Sequence, residues 1–222
     1  MKDYLILVLD GVLQTWGRET LEGLRPSELC PGRSGLLGLL GACLGIERND
    51  HENQRQLAVS VKFAVRIDNS KKNQKSETDE KEQQKMTDYH TVKDARVDYS
   101  GLKSHNTIET WREYWQDARY TVAVCLTDKA ELSLQDLENA VKYPVYTPVL
   151  GRRSCPLSRP LFEEYLKAKN ALEALRQIKP GTGIIYSDEK EDDRAIPLRK
   201  RDVPIINQPR QFASRYLYMT KT

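Results

Sequence analysis

The sequence predicts an α+β protein on a ferredoxin-like (RRM-like) plan of strand, helix, strand, strand, helix, strand. Three observations carry this reading. The apolar run Tyr4 to Leu9 reads as a strand buried on both faces. Leu57, Val59, Val61, Phe63, Val65 and Ile67 alternate with small or polar residues, a strand signal over at least the second half of that segment. Two leucine-bearing segments, Ser34 to Ile46 and Ser133 to about Lys142, read as the two helices. A chain of 222 residues, 39% apolar and 30% charged, buries a core without disulfide or metal staples.

Tyr4 to Leu9 opens the core. The loop from Asp10 to Arg33 follows, with Gln14, Trp16, Arg18, Arg25 and Arg33 among glycines and prolines, too long and polar for a mere connector. The Trp16 ring suits a lid over the core, and the arginines suit binding. Ser34 is the expected cap of the first helix. Gly35, Gly38, Gly41 and Gly45 form a stripe along it. Each costs about 1 kcal/mol of helix stability, so the stripe calls for close approach by the sheet, a partner or RNA.

The strand ending at Ile67 is expected to pair with the first. Asn69 to Lys85 holds no large apolar residue and reads as a solvated, mobile loop. Ile108 to Tyr114 and Tyr120 to Leu126 read as strands joined in a hairpin through Gln116 and Asp117. Ser133 and Asp136 resemble a capping box. Tyr143 to Leu150 is extended, interrupted by Pro144 and Pro148, and supplies the last strand of the plan. Beyond it, Phe162 to Ile178 reads as helix, Gly183 to Tyr186 as strand, Asp188 to Asp193 as an acidic loop, and the chain closes on a strand ending near Met219.

Composition excludes several function classes. Cys30, Cys43, Cys125 and Cys155 lie far apart with no CxxC pair, so neither a metal site nor a disulfide framework is expected. The start lacks a secretory pattern, and no apolar run approaches the roughly 20 residues a membrane helix needs. Reduced thiols and a cytoplasmic protein are the expectation. There is no GxxxxGK[ST] loop, no GxGxxG turn and no HExxH, so no cofactor is expected.

Formal net charge is only +3 but unevenly placed: Arg194, Arg199, Lys200, Arg201, Arg210, Arg215 and Lys221 face the single acid Asp202. Such an excess suits a phosphate backbone or simply a soluble C-terminal region. Tyr89 to Arg119 interleaves Tyr89, Tyr99, Trp111, Tyr114 and Trp115 with Lys93, Arg96, Lys103, Arg112 and Arg119, the pairing of rings and cations that a single nucleic-acid strand requires. Asp94, Asp98, Glu109, Glu113 and Asp117 balance those cations, so a solvated hairpin with core aromatics fits equally. The turn Gly151-Arg152-Arg153-Ser154-Cys155-Pro156 offers two arginines and a run of backbone donors to a phosphate. His90 and His105 are the residues available for metal-independent RNA cleavage, although a loop histidine more often hydrogen-bonds or stacks.

Several segments together resemble one family: Tyr4-Leu-Ile-Leu, Gln14-Thr-Trp-Gly, Arg33 through Ile46, Asp88-Tyr-His-Thr-Val, Gly101-Leu-Lys-Ser-His, Thr110-Trp-Arg-Glu-Tyr, Tyr146-Thr-Pro, Gly151 through Leu157 and Pro209 through Arg215. The chain resembles the CasD family of the RAMP superfamily, the crRNA 5′-handle-binding subunits of type I-E CRISPR Cascade complexes. Asn69 to Lys85 and Leu166 to Arg194 lie outside the resemblance.

The resemblance implies an RRM-like domain over 1–149, with a protruding β-hairpin thumb at about 86–118 and the mobile loop at about 69–85, and a small, mainly β C-terminal subdomain over 150–222. It implies a non-catalytic RNA-binding subunit that holds the crRNA handle and caps the backbone filament of an antiviral ribonucleoprotein. The partners would be crRNA, the backbone subunit CasC and the large PAM-reading subunit CasA, with no membrane involved. Gln14, Trp16, Arg25, Arg33, Arg152, Arg153, Ser154 and Arg210 are then handle or phosphate candidates, and Lys103, His105, Trp111 and Arg112 thumb candidates. A metal-independent endoribonuclease processing CRISPR repeat RNA is the alternative, because relatives in another subtype cleave precursor RNA.

Overall fold

The computed structural model describes residues 1–20, 23–68, 84–93 and 107–221. In chain order the elements are β1 (Lys2–Asp10), β2 (Leu13–Gln14), β3 (Leu24–Arg25), α1 (Arg33–Leu44), α2 (His51–Ser60), β4 (Val61–Asp68), β5 (Gln84–Val92), β6 (Ile108–Gln116), β7 (Arg119–Leu126), α3 (Leu134–Lys142), β8 (Phe162–Ala168), α4 (Ala171–Gln177), β9 (Gly183–Ser187), β10 (Ile196–Pro204) and β11 (Phe212–Lys221). A seven-stranded sheet runs β10-β11-β9-β4-β7-β1-β8, and a four-stranded sheet joins β2, β6 and β3, with β5 paired to β6.

The segment β4-β7-β1-β8 is antiparallel throughout and is the ferredoxin-like sheet. β1 is central, as its apolar run predicts. Its partners are β7 and β8, so β4 does not pair with it as expected. β7 is buried along almost its whole length and takes the inner place, pushing β4 one position out.

Three expectations along the chain are corrected. Residues 51–60 are helical: Asp50 accepts from the Asn53 amide at 3.1 Å, and Leu57 is buried while Val59 faces solvent. The strand signal therefore holds only from Val61. Tyr143 to Leu150 is not the fourth strand of the plan. Prolines deprive it of ladder donors, and it hooks instead onto the end of α1, Val145 N donating to Cys43 O and Tyr146 N to Ala42 O, both at 3.0 Å. These bonds satisfy carbonyls in the last turn of the helix, the Ala42 carbonyl sharing its acceptor role with the Gly45 amide at 3.2 Å. The fourth strand is β8, and the expected helix over 162–178 divides into β8 and α4, with Asn170 capping α4. The boundary expected at 149/150 thus falls inside the ferredoxin-like unit, and β9, β11 and β10 continue its sheet from the edge of β4.

The hairpin expected between β6 and β7 does not form either. Asp117 has φ 49° and donates its amide to Val12 O, and the chain passes from one sheet to the other. The hairpin is instead β5 with β6, in register from Gln84↔Gln116 to Val92↔Ile108. It projects from the body as the thumb.

The capping box of α3 is present as predicted. α1 begins one residue before the expected cap: Gly32 is the N-cap, and the Asp202 carboxylate on β10 accepts from Arg33 N at 2.8 Å. The glycine stripe serves several neighbours. Gly35 lies against the Trp16 ring, Gly41 near Leu57, and Gly45 (φ 75°) closes the helix in the left-handed conformation.

One core lies between the sheet and α1 and α3 and takes in Trp16, Tyr114, Trp115 and Tyr120; a second lies on the opposite face under α4, around Tyr4, Ile6, Leu172, Leu175 and Ile185. Arg66, fully buried, bonds Asp68 at 2.6 Å, Thr121 at 3.1 Å and the Ile178 carbonyl at 2.8 Å, tying the end of α4 to the sheet. Each cysteine is free and buried, and burial pushes the Cys30, Cys43 and Cys125 thiols up to about 11. Among the described residues no helix is long and apolar enough to cross a membrane.

Candidate nucleic-acid interface

β6 organises the site. Position along the strand divides its side chains: Tyr114 and Trp115, at the end of β6 next to the body, are buried at 3% and 9% exposure, whereas Trp111, four residues back on the same strand face as Trp115, is 43% exposed. The aromatic tract therefore realises both of its readings at different residues. Cross-strand register sets Tyr89 opposite Trp111, and the two rings meet at 5.4 Å with planes tilted by 43°. Trp111 N donates to Gly23 O at 3.1 Å, and a Cβ on Gly23 would stand 3.1 Å from the indole. A side chain there would push the indole or the Glu109 carbonyl back by a few tenths of an ångström.

The same contact lays β3 parallel to β6, placing Arg25 beside Arg112. Arg25 donates to the Thr20 hydroxyl at 3.0 Å and Arg112 to the Thr110 hydroxyl at 3.2 Å. Arg152 arrives from a third segment. Gly151 has φ 94°, and a Cβ there would overlap the Thr15 carbonyl oxygen, so the turn packs directly on the loop. Arg152 then lies over the Tyr114 ring at 4.8 Å and donates to the carbonyls of Glu113 and Arg25, both at 3.3 Å. Arg25, Arg112 and Arg152, from three distant stretches of chain, converge at the root of the thumb.

The nearby acid does not oppose this charge freely. Glu113 accepts from Ser27 N and from Lys85, each at 3.0 Å. Partial burial pushes its carboxyl up, but the Ser27 amide and the Lys85 ammonium outweigh that and hold it below the usual range. Arg153 and Ser154 are exposed in the arginine turn, and Arg210 is exposed in the β10–β11 turn with φ 63°.

Other candidates are built into the body. Gln14 is fully buried, donating to Leu9 O at 3.2 Å and Ala118 O at 2.5 Å where the two sheets meet. Trp16, 2% exposed, packs edge-on against Tyr120 and is the lid its position suggests. The Arg33 guanidinium bonds Asp188 at 2.6 Å and the carbonyls of Ala58 and Val61 at 2.7 and 2.9 Å. These three side chains hold the framework, a correction to their assignment as RNA contacts. Lys103 and His105 lie outside the described residues, as do Tyr99 and Arg96. His90 pairs with Asp88 on the thumb.

Tyr89, one of the rings that the aromatic tract offers for stacking, is brought to Trp111 by the β5–β6 pairing. Its place in the aromatic tract was visible; its partnership with Trp111 requires the register. Among the described residues no cluster of three or more His, Cys, Asp or Glu side chains is arranged to hold a metal ion.

Comparison with known proteins bears on the whole chain. The family model described as CRISPR-associated protein (Cas5) matches residues 4–218. The chain is 50% identical over 223 residues to the CRISPR system Cascade subunit CasD of Escherichia coli (strain K12), covering 100% of this chain and 97% of that protein. A solved CRISPR RNA-guided surveillance complex contains a chain similar in fold, with TM-score 0.73 and 24% identity over 99% of this chain and 90% of that one. A crystal structure of a Cas protein aligns with TM-score 0.63 and 25% identity over 98% of this chain and 94% of that one.

Proposed function

The chain belongs to the CRISPR-associated Cas5 family, and we propose that it is the non-catalytic RNA-binding subunit of a type I-E Cascade surveillance complex, working in the cytoplasm in antiviral defence. It holds the 5′ handle of the crRNA and caps the backbone filament, with CasC and the large PAM-reading subunit CasA as protein neighbours.

The observation that carries this reading is the exposed Trp111–Tyr89 pair, standing on a projecting hairpin with Arg112 and Arg25 at its side. An unpaired base stacks on the outer ring, where every base offers a π-face. Arg25, Arg112 and Arg153 meet phosphates, which fixes the strand's register without reading its sequence. Arg152 acts one step removed: its guanidinium is engaged with the ring and carbonyls of the thumb's root, so it holds the hairpin in place. Target sequence is then left to guide pairing.

The test is photocrosslinking of the assembled complex carrying 4-thiouridine in the handle. Crosslinks to the thumb and to residues 152–154 are expected. A particle that crosslinks at neither segment overturns the assignment. Incubating the pure chain with repeat RNA in chelator examines the competing ribonuclease reading: intact RNA is expected, and cleavage abolished by His90→Ala would replace the proposal.

A further inference from the structure

The outer end of the seven-stranded sheet carries a second cationic surface that the thumb does not involve. β10 is the edge strand and pairs with β11. Alternation along the two strands sorts their side chains by face. Lys200 and Arg215, cross-strand partners, turn inward, where Arg215 bonds Asp202 at 2.6 Å and Lys200 stands 3.6 Å from Glu28. Arg199, Arg201, Ser214 and Tyr216 face the other way and are exposed. Tyr216 is 64% exposed, Arg199 lies directly across from it, and Arg201 lies across from Ser214 two residues along.

This is the sheet face on which α4 packs. Continuing along β11, Tyr218 pairs with Ser187 and Thr220 with Ile185, and Ile185 belongs to the core beneath α4. The helix packs over β4, β7 and β8, toward the other end of the sheet, and among the described residues the β10–β11 end of this face is exposed. Arg199 makes no ion pair among the described residues. Arg201 keeps its Nε on the Phe212 carbonyl at 2.8 Å and turns an outer nitrogen to Glu19 at 3.3 Å, but the Arg201 and Glu19 side chains are 59% and 66% exposed, so solvent screens the ion pair and a phosphate displaces the carboxylate at little cost.

We infer that this strip is a binding site for a single-stranded polynucleotide, in which one unpaired base stacks on Tyr216 while Arg199 and Arg201 take the flanking phosphates. Residues two apart on a strand are separated by roughly 6–7 Å, which suits neighbouring phosphates of one extended strand. A lone exposed ring between guanidinium groups matches the sequence-tolerant recognition of single strands. A protein partner fits less well, because the strip lacks the contiguous apolar centre that protein interfaces bury. The site is separate from the handle reading and stands or falls without it.

The test uses the full chain in a Trp111→Ala/Arg112→Ala background, which silences the thumb, with labelled oligouridylate and oligothymidylate of about ten nucleotides in fluorescence anisotropy. Tyr216→Ala is expected to weaken binding about tenfold and Tyr216→Phe to keep it within about twofold, because the ring rather than the hydroxyl does the stacking. Arg199→Ala lowers the salt-dependence slope by about 0.7, the share of one single-strand phosphate contact. Tighter binding of the ribose oligonucleotide supports the site with RNA as its ligand, and equal binding supports it with either strand. Unchanged affinity in Tyr216→Ala overturns the inference. So does unchanged affinity accompanied by loss of a co-purifying protein subunit, which would give the strip to a protein contact. Loss of handle binding on Trp111→Ala, measured in a Tyr216→Ala background, reports on the thumb alone, so the two readings fail separately.

Discussion

The guanidinium of Arg152 lies over the ring of Tyr114, 4.8 Å from its centroid, and joins the turn after β7 and α3 to the root of the thumb. Each residue of the pair restrains the other: the arginine covers a ring that is part of the main core, and the arginine is aimed because the ring and two carbonyls hold it.

Separate roles for adjacent arginines follow. Arg152→Ala should destabilise the fold by about 1–2 kcal/mol, losing a partly desolvated cation–π contact and two hydrogen bonds. That corresponds to about 2–4 °C in the unfolding midpoint for each kcal/mol. Arg153→Ala, exposed in the same turn, should leave the midpoint unchanged and weaken handle-RNA binding. Calorimetry with anisotropy on both variants checks this, and equal midpoints would dissolve the distinction.

Trp111→Ala should reduce handle-RNA affinity about tenfold, within the 1–3 kcal/mol range of one base–aromatic stack. Because the indole is 43% exposed, the unfolding midpoint should move little. Trp111→Phe should restore most of the affinity. An alanine variant with full affinity would remove this ring from the site.

Arg66→Ala should cost about 3–5 kcal/mol, since it leaves Asp68 charged and buried without its closest partner and frees the carbonyls at the end of α4. Urea titration followed by circular dichroism measures this directly. A loss below about 1 kcal/mol would mean that the network is dispensable.

Asp202 sets an acid limit on stability. Burial pushes its carboxyl up, but the Arg215 guanidinium at 2.6 and 2.8 Å, together with the Arg33 amide, holds it below the usual carboxylate range. A depressed folded value means that the contribution is fully present above the unfolded value of about 4 and fades as pH falls through the folded one. The stability gap between wild type and Asp202→Asn should therefore be widest near neutrality and close in acid. A gap that does not change with pH would contradict this.

The sequence by itself determined the features that rest on neighbours along the chain. The apolar run of β1, the Ser133–Asp136 capping box and the crowding of rings near the thumb are short-range signals, and each formed where its residues are. The strand alternation through Leu57 and Val59 does not hold because residues two apart lie on opposite sides of a helix, and here Leu57 is buried while Val59 faces solvent. Pairing was not legible in this way. Which strand sits beside β1, that β8 rather than Tyr143–Leu150 completes the plan, and that Tyr89 meets Trp111 all depend on ladder bonds between residues far apart in sequence. The same holds for the arginines, whose composition is identical whether a guanidinium faces solvent or, like Arg33, is enclosed by Asp188 and two carbonyls. Only the tertiary structure decided which charges remain available to a ligand, because burial and partnership are properties of packed surfaces and are not encoded in any one segment.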